Sequence, residues 1–350
     1  MREEGGPEGR ITVDGQTMAE SAPHAGVSYT RSMHPRAAGS RVEVHIGLFL
    51  ATVYTTTIAG TVLAGVLPPA VSALDLVLTP FTALAQPGLL IAGLPFSLTL
   101  LLILFVHEMG HYLASRRWHV RATLPYFIPF PFMIGTLGAV IRIRSRIPTK
   151  SALLDIGASG PIAGFVVSIA ALGVGLPLSK TLPMAEIPPG SISLGDSLAT
   201  SWMGALFAGD LPPGVDLILH PIALAGWLGL FVTMLNMLPI GQFDGGHVVY
   251  ALFGRRWHEA FSRATIVLLA LFWALGPPYD WIATADVWSW LQTRWPGWLV
   301  WIVIAMVLGR RHPPPFDASE RLDARRTLIG YVALLIFILC FIPRPFSISY

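Results

Sequence analysis

The run Leu94 to Ala114 is almost wholly apolar, yet it carries His107, Glu108 and His111 near its C-terminal end. About 20 such residues are enough to cross about 30 Å of hydrocarbon as a helix. Ionisable groups at that depth are costly, so they need partners inside the protein and mark a functional site by default. The spacing adds a geometric condition. On an α-helix residues four apart share a face, so His107 and His111 point the same way with Glu108 beside them.

Composition supports a membrane setting. Hydrophobic residues make up 53% of the chain and charged ones 12%, with a mean hydropathy of +0.63. These values fit a polytopic membrane protein and do not fit a soluble core of this length. Apolar segments lie near 44–67, 94–115, 152–176, 222–240, 260–276, 296–309 and 327–343, the last two being short. The expected fold class is an all-α polytopic membrane protein of about six to eight transmembrane helices, with a broken helix at the site and a small membrane-associated β-hairpin. The domain plan is a disordered cytoplasmic tail over 1–43, a core over 44–255 with the hairpin near 124–148, and C-terminal transmembrane helices over 256–350.

With a cytoplasmic N-terminus, every Lys and Arg except Lys180, Arg294 and Arg344 falls on the cytoplasmic side of this plan. That asymmetry is the positive-inside pattern. The cations sit in short loops beside the lipid, so the net charge of +3 implies the bilayer and no nucleic-acid partner. Residues 1–40 are Gly-, Pro-, Ser- and Ala-rich, and Glu3, Glu4 and Glu8 set them apart from a signal or transit peptide. Together with the high Arg and Ala content they favour a bacterial cytoplasmic membrane. The single cysteine, Cys340, excludes an intrachain disulfide and is expected to pack in the last apolar run.

Two histidines and a neighbouring carboxylate suggest a metal site, and a catalytic zinc takes three protein ligands with one position open. Asp244 is the best third ligand. It follows Pro239 and Gly241 and precedes Gly245-Gly246, where a helix should break and line a cavity. Asp155 is the rival carboxylate, at the start of a span where a capping or interfacial role is more ordinary. His247, just past Asp244, is a candidate partner of a ligand or a spare ligand, although a lone histidine after a turn more often has a structural role.

The two segments together resemble the site-2 protease family of intramembrane zinc metalloproteases. Its H-E-x-x-H pattern is matched by His107 to His111, and its N-x-x-P-x-x-x-x-D-G pattern by Asn236, Pro239, Asp244 and Gly245. Its small-residue motif is matched by Gly160-Pro161-Ile162-Ala163-Gly164. The likeness covers roughly 95–255. It implies one Zn2+ per chain held by His107, His111 and Asp244, with Glu108 as general base and Asn236 contacting the substrate backbone or the tetrahedral intermediate. It implies a membrane-embedded endopeptidase acting on a transmembrane protein, either in regulated proteolysis or in clearing membrane remnants. A catalytically silent scaffold of the same fold is the alternative, which the intact Glu108 disfavours. The long outer loop near 177–220 is near the minimum size for any independent domain and its Pro, Gly and Ser content suggests a loop, so the likeness is to the PDZ-lacking branch.

Depth follows from the helix rise. Arg116 and Arg117 mark the cytoplasmic interface, which puts His111 and His107 about 8–14 Å inward. Between the motifs, Gly138 to Ile147 alternates apolar and charged residues over its second half, the period of a half-buried strand. Pro125 to Pro148 is therefore expected to form a hairpin or sheet, whose edge could hold an unwound substrate by strand addition. Trp281, Trp288, Trp290, Trp295 and Trp298 are expected to form an interfacial belt.

Overall fold

The computed structural model describes residues 42–68, 75, 83, 86–187, 191–209, 211–275, 295–307 and 312–348. The tail expected over 1–43 lies outside them up to residue 41, as do Trp281, Trp288 and Trp290. In chain order the elements are α1 (Val42–Leu63), α2 (Leu94–Arg117), β1 (Tyr126–Pro129), β2 (Thr136–Val140) and α3 (Lys150–Gly175). There follow β3 (Lys180–Pro183), β4 (Ile192–Leu194), α4 (Leu198–Phe207), β5 (Val215–Ile218) and α5 (Pro221–Asn236). The chain continues through α6 (Asp244–Leu275), α7 (Gly297–Val307), α8 (Ala324–Cys340) and β6 (Phe346–Ile348). Among the described residues four helices are long and apolar enough to cross a membrane: α1, the run Pro87–Arg117 that contains α2, α3 and α6. The described residues are mostly helical, with three small antiparallel two-stranded sheets among them.

Helix α2 shows why an apolar solvent is needed. Its outward stripe leaves Leu98, Leu102 and Leu113 more than half exposed, whereas its protein-facing stripe buries His107, Glu108 and His111 to 7% exposure or less. The polar residues are inside and the leucines outside, an arrangement that is stable only where the surroundings are lipid. Helix α1 meets the same constraint differently. The hydroxyls of Thr52, Thr56, Thr57 and Thr61 each donate to a carbonyl four residues back, so the threonines leave no donor unsatisfied in hydrocarbon.

Helix α5 forms the centre, with Leu230 and Met234 fully buried among α2, α3 and α8. Its last residue is Asn236, and the turn over 237–243 leads directly into Asp244, the first residue of α6. The expected helix break therefore occurs at this turn. A second bend is a kink at Gly254 (φ 80°), a backbone conformation available mainly to glycine.

The β1–β2 hairpin lies against α1. Thr55 donates to the Gly135 carbonyl at 2.6 Å, His45 Nδ1 donates to the Pro125 carbonyl at 3.0 Å, and Phe49 meets Phe127 edge-on. The second strand ends earlier than the charge alternation suggested. Beyond Val140 an isolated Ala122–Ile143 bridge continues the pairing, with Arg142, Arg144 and Arg146 exposed on alternate positions.

Two expectations are corrected. The 177–220 loop is structured: β3 pairs with β5, and β4 pairs with β6 near the C-terminus. Strands of three and four residues carry too little periodicity to be seen in a sequence. Trp295 and Trp298 do not form a belt; Trp298 is 1% exposed, stacks on Phe341 and donates to the Pro343 carbonyl at 3.0 Å. Cys340 is fully buried, as a packing residue should be.

The connection from His312 to Arg326 straps α3. Phe316 and Asp317 donate their backbone N–H groups to the Ile147 and Pro148 carbonyls at 3.0 and 2.8 Å. Glu320 then accepts from both the backbone N–H and the hydroxyl of Ser151, each at 2.8 Å, and so caps the first turn of α3 alongside Thr149. Burial acts to raise the Glu320 pKa, but the Ser151 donors outweigh it and hold the carboxyl below its ordinary 4.5. A depressed carboxyl pKa stabilises the fold above the ordinary value and ceases to do so as pH falls. At pH 7, Glu320→Ala should cost about 0.5–2 kcal/mol, read as a lower thermal midpoint in detergent. The difference from wild type should shrink as pH falls below 4.5.

Candidate metal centre

Three donor atoms converge between α2 and the start of α6. His107 Nε2 and His111 Nε2 are 3.1 Å apart, and Asp244 Oδ2 lies 3.4 Å from the first and 3.2 Å from the second. In a tetrahedron with bonds of about 2.05 Å the ligand atoms are about 3.3 Å apart, so this set fits zinc without rearrangement. Among the described residues it is the one group of three such side chains close enough to hold a metal ion.

The tautomer of His111 supports the fit. Its Nδ1 is 2.6 Å from the Ile156 carbonyl, which can only accept, so Nδ1 carries the proton and the neutral ring turns its Nε2 lone pair to the centre. Glycines on α3 make room for both rings. A Cβ at Gly160 would overlap His111 Nε2, and one at Gly164 would lie 2.9 Å from His107 Nδ1. Gly110 on α2 answers from the other side, where a Cβ would come 2.7 Å from the Ser159 carbonyl. The Gly160–Gly164 motif thus lets α3 close on the two histidines.

Glu108 faces the same interior, 7% exposed, near the Ile141 backbone N–H just past the end of β2. Asn236, at the C-terminus of α5, places its Nδ2 3.3 Å from His107 Nε2. Four elements thus meet at one buried point: α2, α3, α5 and α6.

Asp155 is committed elsewhere. It accepts from Trp118 Nε1 at 2.9 Å and from Arg326 Nε at 3.1 and 3.2 Å, while the Arg326 guanidinium lies 5.2 Å from the Trp118 ring. Trp118 caps α2 and Ile156 follows Asp155, so this clamp ties the helix of His111 to the carbonyl that orients it. Neither the Ile156 carbonyl nor the clamp was visible in the sequence. A backbone acceptor leaves no residue-type signal, and Arg326 lies 171 residues from its partner.

Helices with lipid-facing leucines around a buried His–His–carboxylate group define a helical membrane protein with a site for a divalent metal. The sequence profile of peptidase family M50 matches residues 95–275, and the chain belongs to this family, the site-2 protease family. It is 34% identical over 263 residues to the probable chloroplastic zinc metalloprotease EGY1 of Arabidopsis thaliana, covering 72% of this chain and 43% of that protein. With the probable chloroplastic zinc metalloprotease EGY2 of the same plant it shares 27% identity over 259 residues, 73% of this chain and 43% of that one. A rice EGY1 protein is 36% identical over 195 residues, 53% of this chain and 32% of the relative. The chain therefore spans less than half the length of these relatives. Zinc is the metal their names carry, and it is the metal the donor set suits.

The close approach at Gly160 yields a test. Gly160→Ala should push the His111 ring aside and weaken zinc binding by about 100-fold, measured by chelator competition in detergent. Gly204→Ala, on a helix face with no atom within 4 Å, should leave it unchanged.

Proposed function

We propose that the protein is a zinc-dependent intramembrane endopeptidase that hydrolyses a peptide bond within or near a transmembrane segment of another membrane protein. The observation that carries this reading is the convergence of His107, His111 and Asp244 at 3.1–3.4 Å, with the Glu108 carboxylate buried beside them.

His107, His111 and Asp244 would hold the ion through two Nε2 atoms and a carboxylate oxygen. Bound there, zinc supplies a Lewis acid for water and for a carbonyl. Glu108 follows His107 on the same helix, so its carboxylate accepts the proton of the attacking water and later delivers it to the leaving amine nitrogen. Asn236 brings an amide N–H donor to the edge of the centre, where it contacts the scissile carbonyl or the substrate backbone; such a donor contributes about 10²–10³ in rate. The Ile156 carbonyl keeps His111 in the binding tautomer throughout.

A transmembrane helix hides its amide bonds, so the substrate must be drawn out before water can attack. Strand β2 pairs with β1 and with no other strand among the described residues, and its continuation at Ile141 lies near Glu108. A peptide added along Gly138–Ile147 would be held extended by main-chain hydrogen bonds and led to the base. Helices α5 and α7, shorter but apolar, and α8 are taken to cross as well, giving seven spans with the N-terminus and the site near the cytoplasmic side. The clustering of arginines in alternate loops supports that orientation. The composition favours a bacterial cytoplasmic membrane.

Glu108→Gln separates the chemistry from the metal. With single-span membrane peptides as substrates, the wild-type chain should cut and the variant should lose about 10²–10⁴-fold in rate while retaining its zinc. Zinc in both proteins with cleavage by neither would favour a membrane scaffold of the same fold.

A further inference from the structure

His247 and His312 lie outside the donor set, and the matched family region ends at residue 275, well before His312. Their rings meet face to edge, with His247 Nδ1 2.6 Å from His312 Nε2. His312 is 8% exposed and packs beside Tyr250 and His258. Its Nδ1 is 2.6 Å from the Pro313 carbonyl.

These contacts determine where the protons are. The Pro313 carbonyl can only accept, so His312 Nδ1 donates to it. Burial first, and the neighbouring His247 and His258 rings next, push the His312 pKa down to about 3, so the ring is neutral at pH 7 and its Nε2 is a bare acceptor. His247 Nδ1 is therefore the donor, and its ring is locked in one tautomer and one orientation.

The position of His247 gives this lock a consequence. It lies in the first turn of α6, three residues after Asp244, and its backbone N–H bonds to the Phe243 carbonyl at 3.0 Å. On its other side it is wedged against α3, where a Cβ at Gly157 would come 2.6 Å from the His247 Cβ. Gly157 follows Ile156, the acceptor for His111. The strap that presents His312 is itself tied down at Ile147, Pro148, Ser151 and Asp155.

We propose that His312 is a positioning residue of the metal centre: by accepting the His247 hydrogen bond it holds the first turn of α6, and with it the Asp244 carboxylate, in register with His107 and His111. The inference rests on the metal-site reading above. It assigns to the segment after α7 a part in the site that the motif helices alone do not supply.

The test compares zinc affinity, by competition with a chromophoric chelator, for the purified full chain and for His312→Leu and His312→Gln. Leucine fills the space without an acceptor, whereas the glutamine carbonyl restores one. His312→Leu should bind zinc about 10–100-fold more weakly, with His312→Gln close to wild type. Thermal midpoints of the three metal-stripped proteins should coincide; His312→Met replaces the leucine variant if that protein does not purify. Equal affinity in wild type and His312→Leu overturns the proposal, and so does equal weakening in the Leu and Gln variants, which would reduce His312 to packing. A wild-type chain that takes up no zinc overturns the metal-site reading itself, and this proposal with it.

Discussion

The structure depends on satisfying a polar stripe on a helix that faces lipid on its other side. Helix α2 cannot leave His107, Glu108 and His111 without partners in hydrocarbon, so the surrounding helices are arranged to supply them. α3 contributes the Ile156 carbonyl and a glycine face, α5 contributes Asn236, and α6 contributes Asp244. The centre is therefore also what holds the helices in register.

Rigidity around the centre comes from outside it. The segment between α7 and α8 caps α3 through Glu320, clamps Asp155 through Arg326 and meets α6 through His312. The Arg326 contact falls beside Ile156 and the His312 contact on the first turn of α6, while Glu320 caps the start of α3, so the turns around the centre are tied to residues far away in sequence. The hairpin is held separately, by Thr55 and His45 of α1, which leaves β2 lying beside Glu108.

Several features were legible from residue patterns because they depend on local periodicity. The four-residue spacing of His107 and His111 predicts a shared helix face, and Pro239 with Gly241 predicts the break before Asp244. The hairpin over 125–148 was legible from proline and charge alternation, although the strand ends sooner than the alternation does. The short strands β3, β4, β5 and β6 were not, since their partners are distant and their lengths fall below any periodic signal. Trp295 and Trp298 misled for a different reason: an aromatic side chain suits an interface and a core equally well, and here Phe231, Phe341 and Phe346 were available to pack against.

The sequence by itself determined the membrane setting, the helix carrying two histidines and a carboxylate, and the two candidate carboxylates, Asp155 and Asp244, because hydropathy and helical spacing are properties of neighbouring residues. Only the tertiary structure decided which carboxylate faces the histidines and which is spent on Arg326, and only it revealed that His312 bonds to His247. Those outcomes depend on how α3, α6 and the strap pack together, and distances of a few ångströms between segments far apart in the chain are set by the whole fold.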